Sequence, residues 1–157
     1  MNPVVSLRSP EAADASRFGP KAANLAALGH AGLPTPGGFC VDAEAYRAQL
    51  RALGLEETAR GVFASEDGPR ARRCALRMKL ELMIQPIAPA VSEPLLAAWR
   101  ELRADSAAAC VVRSSALVED RRGSSFAGQF ESYLGLEDET EFVTAVRGCW
   151  EIGRAHV

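Results

Sequence analysis

The chain has 157 residues, 48% of them hydrophobic and 24% charged, with a formal net charge of -2. That is enough apolar material for one globular domain with a core, and too little positive charge to favour a duplex-binding surface. No apolar run approaches the roughly 20 residues needed to cross a bilayer, and no basic stretch followed by an apolar block opens the chain as a signal peptide would, so a cytoplasmic location with no membrane contact is expected.

In chain order, "PVVSL" predicts a short strand. "GPKAANLAALGHAG" predicts a helix opened by Gly19 and Pro20, because proline suits the first helical position. Leu25 and Leu28 form its apolar stripe, and Gly29 or Gly32 ends it. "LPTPGG" is a turn by composition and "FCV" a strand. Asp42 is the natural N-cap of a helix from Ala43 to about Leu53, which Gly54 stops.

The middle of the chain reads as helical. From Pro69 to about Met83, Cys74, Met78 and Leu82 recur at four-residue spacing. Arg70, Arg72, Arg73, Arg77 and Lys79 fall mostly on the other faces, either solvated or free to contact an anion. "QPIAP" breaks the pattern. Ser92 is then expected to cap a further helix with Leu95, Leu96, Trp99 and Leu102 on its apolar side. "AAACVV" predicts a buried strand, "QFESYLGL" a second, and "DETEFVTAVRGCW" a helix with Phe142, Val143, Val146 and Trp150 inward. Strands mixed with helices imply an α/β or α+β domain. The cysteines Cys40, Cys74, Cys110 and Cys149 are too far apart in sequence for a zinc-type pairing. They read as reduced, buried thiols, with a disulfide left open.

The chemistry concentrates in "VVRSSALVEDRRGSSFAGQFESYLGL". Arg113 stands just past a strand, and its planar fork suits phosphate oxygens. Ser114 and Ser115 offer hydroxyls to the same anion. Gly123, Ala127 and Gly128 are small enough for backbone N–H groups to approach a phosphate. Lys21 adds a charge near a helix N-terminus, itself favourable for anions. Composition alone leaves a capped turn with an exposed arginine equally open. Glu119 and Asp120 are candidate metal ligands, but a solvated acidic turn paired with Arg121 or Arg122 is the preferred reading. Neither histidine has the setting of a catalytic base: His30 lies near a helix C-terminus, and no G-x-S-x-G elbow surrounds the serines.

"FGPKAANLAALGHAGLPTPGGFCVDAEAYR" and "VVRSSALVEDRRGSSFAGQFESYL" together resemble the N-terminal nucleotide-binding domain of the phosphoenolpyruvate synthase and pyruvate phosphate dikinase family, which rifampicin phosphotransferase shares. The family pattern is a GGK-x-x-N-L helix, a P-x-P-x-G-F segment, V-R-S-S-A-x-x-E-D and S-F-A-G-Q, in that order. The resemblance implies the first part of an ATP-grasp fold over residues 1–150. It implies ATP contacts from Lys21, Arg113, Gly128 and Ser132, with the Gly128 loop covering the triphosphate. Mg²⁺ would accompany ATP, with its ligands, the second ATP-grasp half, the carrier histidine and the acceptor domain all outside this chain.

The activity so implied passes the β-phosphate of ATP through that histidine to pyruvate, or to an antibiotic of the rifampicin type. A non-catalytic nucleotide-binding module is the alternative, and an oligonucleotide-binding helical domain a remoter one. The chain alone is expected to be inactive. Pro20 replaces a family glycine, Leu117 and Val118 replace Thr-Ala, and Gly135 replaces a frequent asparagine. The closing "EIGRAHV" matches a translation of GAG ATC GGA AGA GCA CAC GTC, a string resembling a sequencing adapter, so residues 151–157 are expected to be a non-native tail.

Overall fold

The computed structural model describes residues 2–64, 68–106, 108–115 and 132–151. Six helices and four strands follow in the order β1 (Val4–Ser6), a 3₁₀ turn (Pro10–Ala13), α1 (Ala15–His30), β2 (Phe39–Val41), α2 (Ala43–Ala52), α3 (Glu56–Ala64), α4 (Gly68–Ile84), α5 (Pro89–Asp105), β3 (Cys110–Arg113), β4 (Ser132–Leu136) and α6 (Glu139–Glu151). The fold is mixed α/β, as expected. Its strands form two separate antiparallel pairs. In β1·β2, Val4 faces Val41 and Ser6 faces Phe39. In β3·β4, Cys110 faces Leu136, Val112 faces Tyr133 and Arg113 faces Ser132, with an irregularity between Cys110 and Val112.

The largest core cluster joins both sheets to α2, α5 and α6. Trp99 of α5 stacks on Phe142 of α6 at 4.6 Å and 11°, and Phe39 of β2 meets Phe142 edge-on at 6.1 Å. Such aromatic pairs add about 0.5–1.5 kcal/mol beyond their buried area. A second cluster packs Tyr46 and Leu50 of α2 and Leu55 against Met78 and Leu82 of α4. A third holds Val5, Phe18, Ala26 and Cys40 under α1.

Several local expectations hold. Asp42 caps α2, its carboxylate accepting from the Glu44 amide at 2.9 Å. Met78 and Leu82 are the buried face of α4. Phe142 and Val146 are buried on α6, with Val143 and Trp150 packed at the edge of the core.

Four expectations are corrected. First, the helix that restarts at Pro20 after Gly19, as expected, is preceded by a further helical stretch from Ala15 capped by Asp14, and α1 does not use the leucine stripe. Its inward face is made by Ala23 and Ala26, while Leu28 is 47% exposed. Second, Ser92 does not cap α5. Proline at the first position starts that helix at Pro89. The loop before it is held by Gln49 of α2, whose amide accepts from the Ala88 N–H at 2.8 Å and donates to the Pro86 carbonyl at 3.0 Å. Third, β3 is half-buried rather than buried: Val111 is 50% exposed and Val112 faces inward. Fourth, only Cys40 of the four cysteines is buried; all four are free thiols. The helix α3 is an element that no sequence pattern singled out.

Candidate functional site

The site is built where a kink in α1 meets the end of β3. The first half of α1 is anchored by Asp14, which accepts from the Ser16 amide at 2.9 Å. It is anchored again by Arg17, which donates through Nε to Asp42 at 2.8 Å and through Nη1 to Glu11 at 3.3 Å. The Asp42 and Glu11 carboxylates hold the Arg17 guanidinium above the usual arginine range. The helix then breaks at Gly19, whose φ of 78° and ψ of 163° lie in a region essentially reserved for glycine. It restarts at Pro20, with proline again in the first helical position.

At such a restart the first amides point out of the helix with no intrahelical acceptor. An N-cap side chain ordinarily meets the amide of the second or third residue. Gly19, at the cap position, has no side chain to do this. Ser115 does it instead: its Oγ accepts from the Ala22 N–H at 3.3 Å, across 93 residues of sequence. The fit is close. A Cβ at Gly19 would lie 2.5 Å from the Ser115 carbonyl oxygen and 2.6 Å from its Oγ.

Lys21 is the second residue of this restarted helix and is half-buried. A lysine in a first turn opposes the positive end of the helix dipole. An anion placed there reverses that penalty, because the exposed N–H groups and the ammonium then act on it together.

On the other side, Arg113 closes β3 as its last residue, rather than standing just past it, and is exposed. Ser132, the first residue of β4, is its partner across the pair. Arg113 reaches this edge because β3 ends there and not because a parallel sheet ends there. Ser114 follows, its hydroxyl oxygen buried without a hydrogen-bond partner among the described residues. A buried hydroxyl without a partner costs about 1–3 kcal/mol, which a ligand oxygen would recover.

The structure pairs Arg113 with Ser132 across β3·β4, and it brings Ser115, two residues beyond Arg113, against the Gly19–Ala22 turn that carries Lys21. Gly128, and the 119–128 stretch with its carboxylates, lie outside the described residues. His30 ends α1 and bonds through Nε2 to the Arg8 carbonyl at 3.1 Å. Among the described residues, no group of three or more His, Cys, Asp or Glu side chains is placed to hold a metal, and no helix is long and apolar enough to cross a membrane. Sequence reasoning missed the capping role of Ser115. The Gly-Pro step marks a helix start, but nothing local marks which residue caps it.

Residues 15–152 match the family described as pyruvate phosphate dikinase, AMP/ATP-binding domain. The chain belongs to that family. Within it, the chain is 35% identical over 154 residues to the prodigiosin synthesizing transferase PigC of Serratia marcescens, covering 96% of this chain and 16% of that protein. It is 32% identical to a probable phosphoenolpyruvate synthase of Staphylothermus marinus, covering 87% of this chain and 17% of the other. It is 31% identical to a rifampicin phosphotransferase of Streptomyces sviceus, covering 94% and 17%. The chain thus spans about a sixth of the length of these relatives. In this member of the family, the two sequence blocks meet at Gly19, Ala22 and Ser115.

Proposed function

We propose that this chain forms the phosphate-binding edge of an ATP-grasp nucleotide site within a longer phosphotransferase. In that protein, ATP and water would yield AMP and phosphate while the β-phosphate passes to a carrier histidine. The histidine would then phosphorylate pyruvate, giving phosphoenolpyruvate. Arg113 would grip phosphate oxygens as a fork, Lys21 would supply a point charge at the helix N-terminus, and Ser132 and Gly128 would line the same side. Neutralising phosphate charge is the main electrostatic demand of phosphoryl transfer. Mg²⁺ would accompany the nucleotide, held by residues elsewhere in the longer protein. The acceptor is chosen there too, which leaves an antibiotic acceptor of the rifampicin type as the second reading; the similarity to a rifampicin phosphotransferase favours keeping it. A cytoplasmic setting and a non-native tail at 151–157 complete the proposal.

The observation that carries this reading is the meeting of the Gly19–Ala22 turn with Ser115, two residues beyond Arg113. It supports reading Lys21 and Arg113, which flank this contact in sequence, as parts of one phosphate site. The test is calorimetric affinity for Mg-ATP in the longer protein. A charged hydrogen bond contributes about 1.5–3 kcal/mol, so Arg113→Ala should weaken binding about ten- to a hundredfold. Arg113→Lys should recover only part, since a point charge does not reproduce two parallel bonds. Arg70→Ala, at an exposed position of α4, is the control. Unchanged ATP affinity in Arg113→Ala would refute the assignment.

A further inference from the structure

Two cationic groups on separate elements form a useful phosphate grip only if their spacing is fixed. Lys21 rides on the restarted half of α1, and Arg113 ends β3. Those elements are distant in sequence and belong to different parts of the fold. The described contact between the two segments centres on Ser115. Its hydroxyl accepts from the amide of the third residue of the Lys21 helix, the position a helix's own cap residue would serve. Its carbonyl oxygen fills the space a Cβ on Gly19 would need. The glycine and the serine are complementary: the missing side chain at the cap position makes room for the hydroxyl that replaces it.

We infer that Ser115 is a positioning residue that caps the Lys21 helix from outside and so fixes Lys21 relative to Arg113. The inference rests on the nucleotide reading above for its purpose, though not for its geometry. Ser115 acts through Lys21 and touches no phosphate itself. Removing its hydroxyl frees the first turn and lets the lysine drift from the arginine. The loss should then fall on ligands in proportion to the phosphates Lys21 reaches.

The geometry is tested first without nucleotide, by amide hydrogen exchange in the 157-residue chain. In the wild type, the Ala22 amide, bonded to the Ser115 Oγ, should be protected. In Ser115→Ala it should exchange about fivefold faster or more, with the Ala26 amide in mid-helix unchanged. Ser115→Thr should restore protection. Should Ser115→Ala fail to fold, Ser115→Cys, with its weaker acceptor, takes its place. An Ala22 amide that is unprotected in the wild type, or equally protected in the alanine variant, overturns the cap.

The coupling is tested by calorimetric titration of the same variants, made in the longer protein, with ATP, ADP and AMP. Ser115→Ala should lose about five- to tenfold in ATP affinity and progressively less for ADP and AMP. The double variant Lys21→Ala, Ser115→Ala should bind ATP no more weakly than Lys21→Ala alone. Equal losses for all three nucleotides would reduce Ser115 to a general structural role and overturn the proposal. Additive losses in the double variant would make Ser115 a direct ligand and overturn it as well. A longer protein with no nucleotide binding in the wild type would overturn the nucleotide reading and the coupling with it, while the exchange result would still decide the cap.

Discussion

Replacing Gly19 by alanine should be among the most damaging single-methyl changes in this chain. Three costs combine. The backbone at φ 78° and ψ 163° is a conformation side-chain-bearing residues avoid, and holding one there costs about 1–3 kcal/mol. The added methyl would sit 2.5 Å from the Ser115 carbonyl oxygen and 2.9 Å from its carbonyl carbon. These are backbone atoms, so relief requires the two segments to part, an overpacking cost of about 1–3 kcal/mol. Parting them also strands the Ala22 amide, at about 0.5–1.5 kcal/mol for the lost bond.

The expected total is about 3–7 kcal/mol, against about 5–15 kcal/mol for a whole small domain. Gly54 supplies the control. It too has a positive φ, 64°, but an added Cβ there meets nothing within 4 Å. Gly54→Ala should therefore show backbone strain alone, about 1–2 kcal/mol. Urea unfolding followed by far-ultraviolet circular dichroism gives both values. If the two variants lose the same stability, the contact between Gly19 and Ser115 contributes nothing and the reasoning fails.

Asp42 both caps α2 and accepts from Arg17, with its side chain 10% exposed. Asp42→Ala should cost about 2–3 kcal/mol, while Asp42→Asn, which keeps the capping oxygen, should recover about 1 kcal/mol of that; equal unfolding midpoints for the two variants would remove the cap from the account. Burial pushes the Cys40 thiol up to about 11 and the Tyr46 hydroxyl up to about 12. Both groups are held neutral by the fold, so their contribution is full below the unfolded-state values of 9.0 and 10.0 and is lost as pH rises through 11 and 12. Urea midpoints should fall steadily above about pH 9, and Cys40→Ala should flatten the first part of that fall; midpoints constant to pH 11 would contradict the burial argument.

What could be read in the sequence was what is decided locally. Asp42 was legible because a cap acts on amides two or three residues away. Met78 and Leu82 were legible because helical periodicity marks a buried face. Leu28 misled because leucines draw the eye to a stripe, whereas α1 buries its small residues, Ala23 and Ala26. The start of α5 misled for a different reason. Ser92 has the chemistry of a cap, but Gln49, some 39 residues earlier, already holds the Ala88 amide. The candidate site divides in the same way. Lys21 and Arg113 were legible as residue types in two motifs. The Ser115 bond that joins those motifs spans 93 residues and has no local signature.

The chain's two tryptophans are placed to serve as optical reporters of different parts of the interior. Trp99 is stacked face to face on Phe142 within the cluster that joins both sheets. Trp150 packs at the margin of that cluster and also of the one under α2 and α4, with Tyr46 6.2 Å away and tilted by 49°. Tyr46 is thus close enough to pass excitation to Trp150. In a Trp99→Phe variant, the remaining emission would come from Trp150 alone, and loss of tyrosine-to-tryptophan transfer would time the separation of α2 from α6. Comparing that signal with the wild-type emission would show, without any added dye, whether the interior melts as one unit or in two steps.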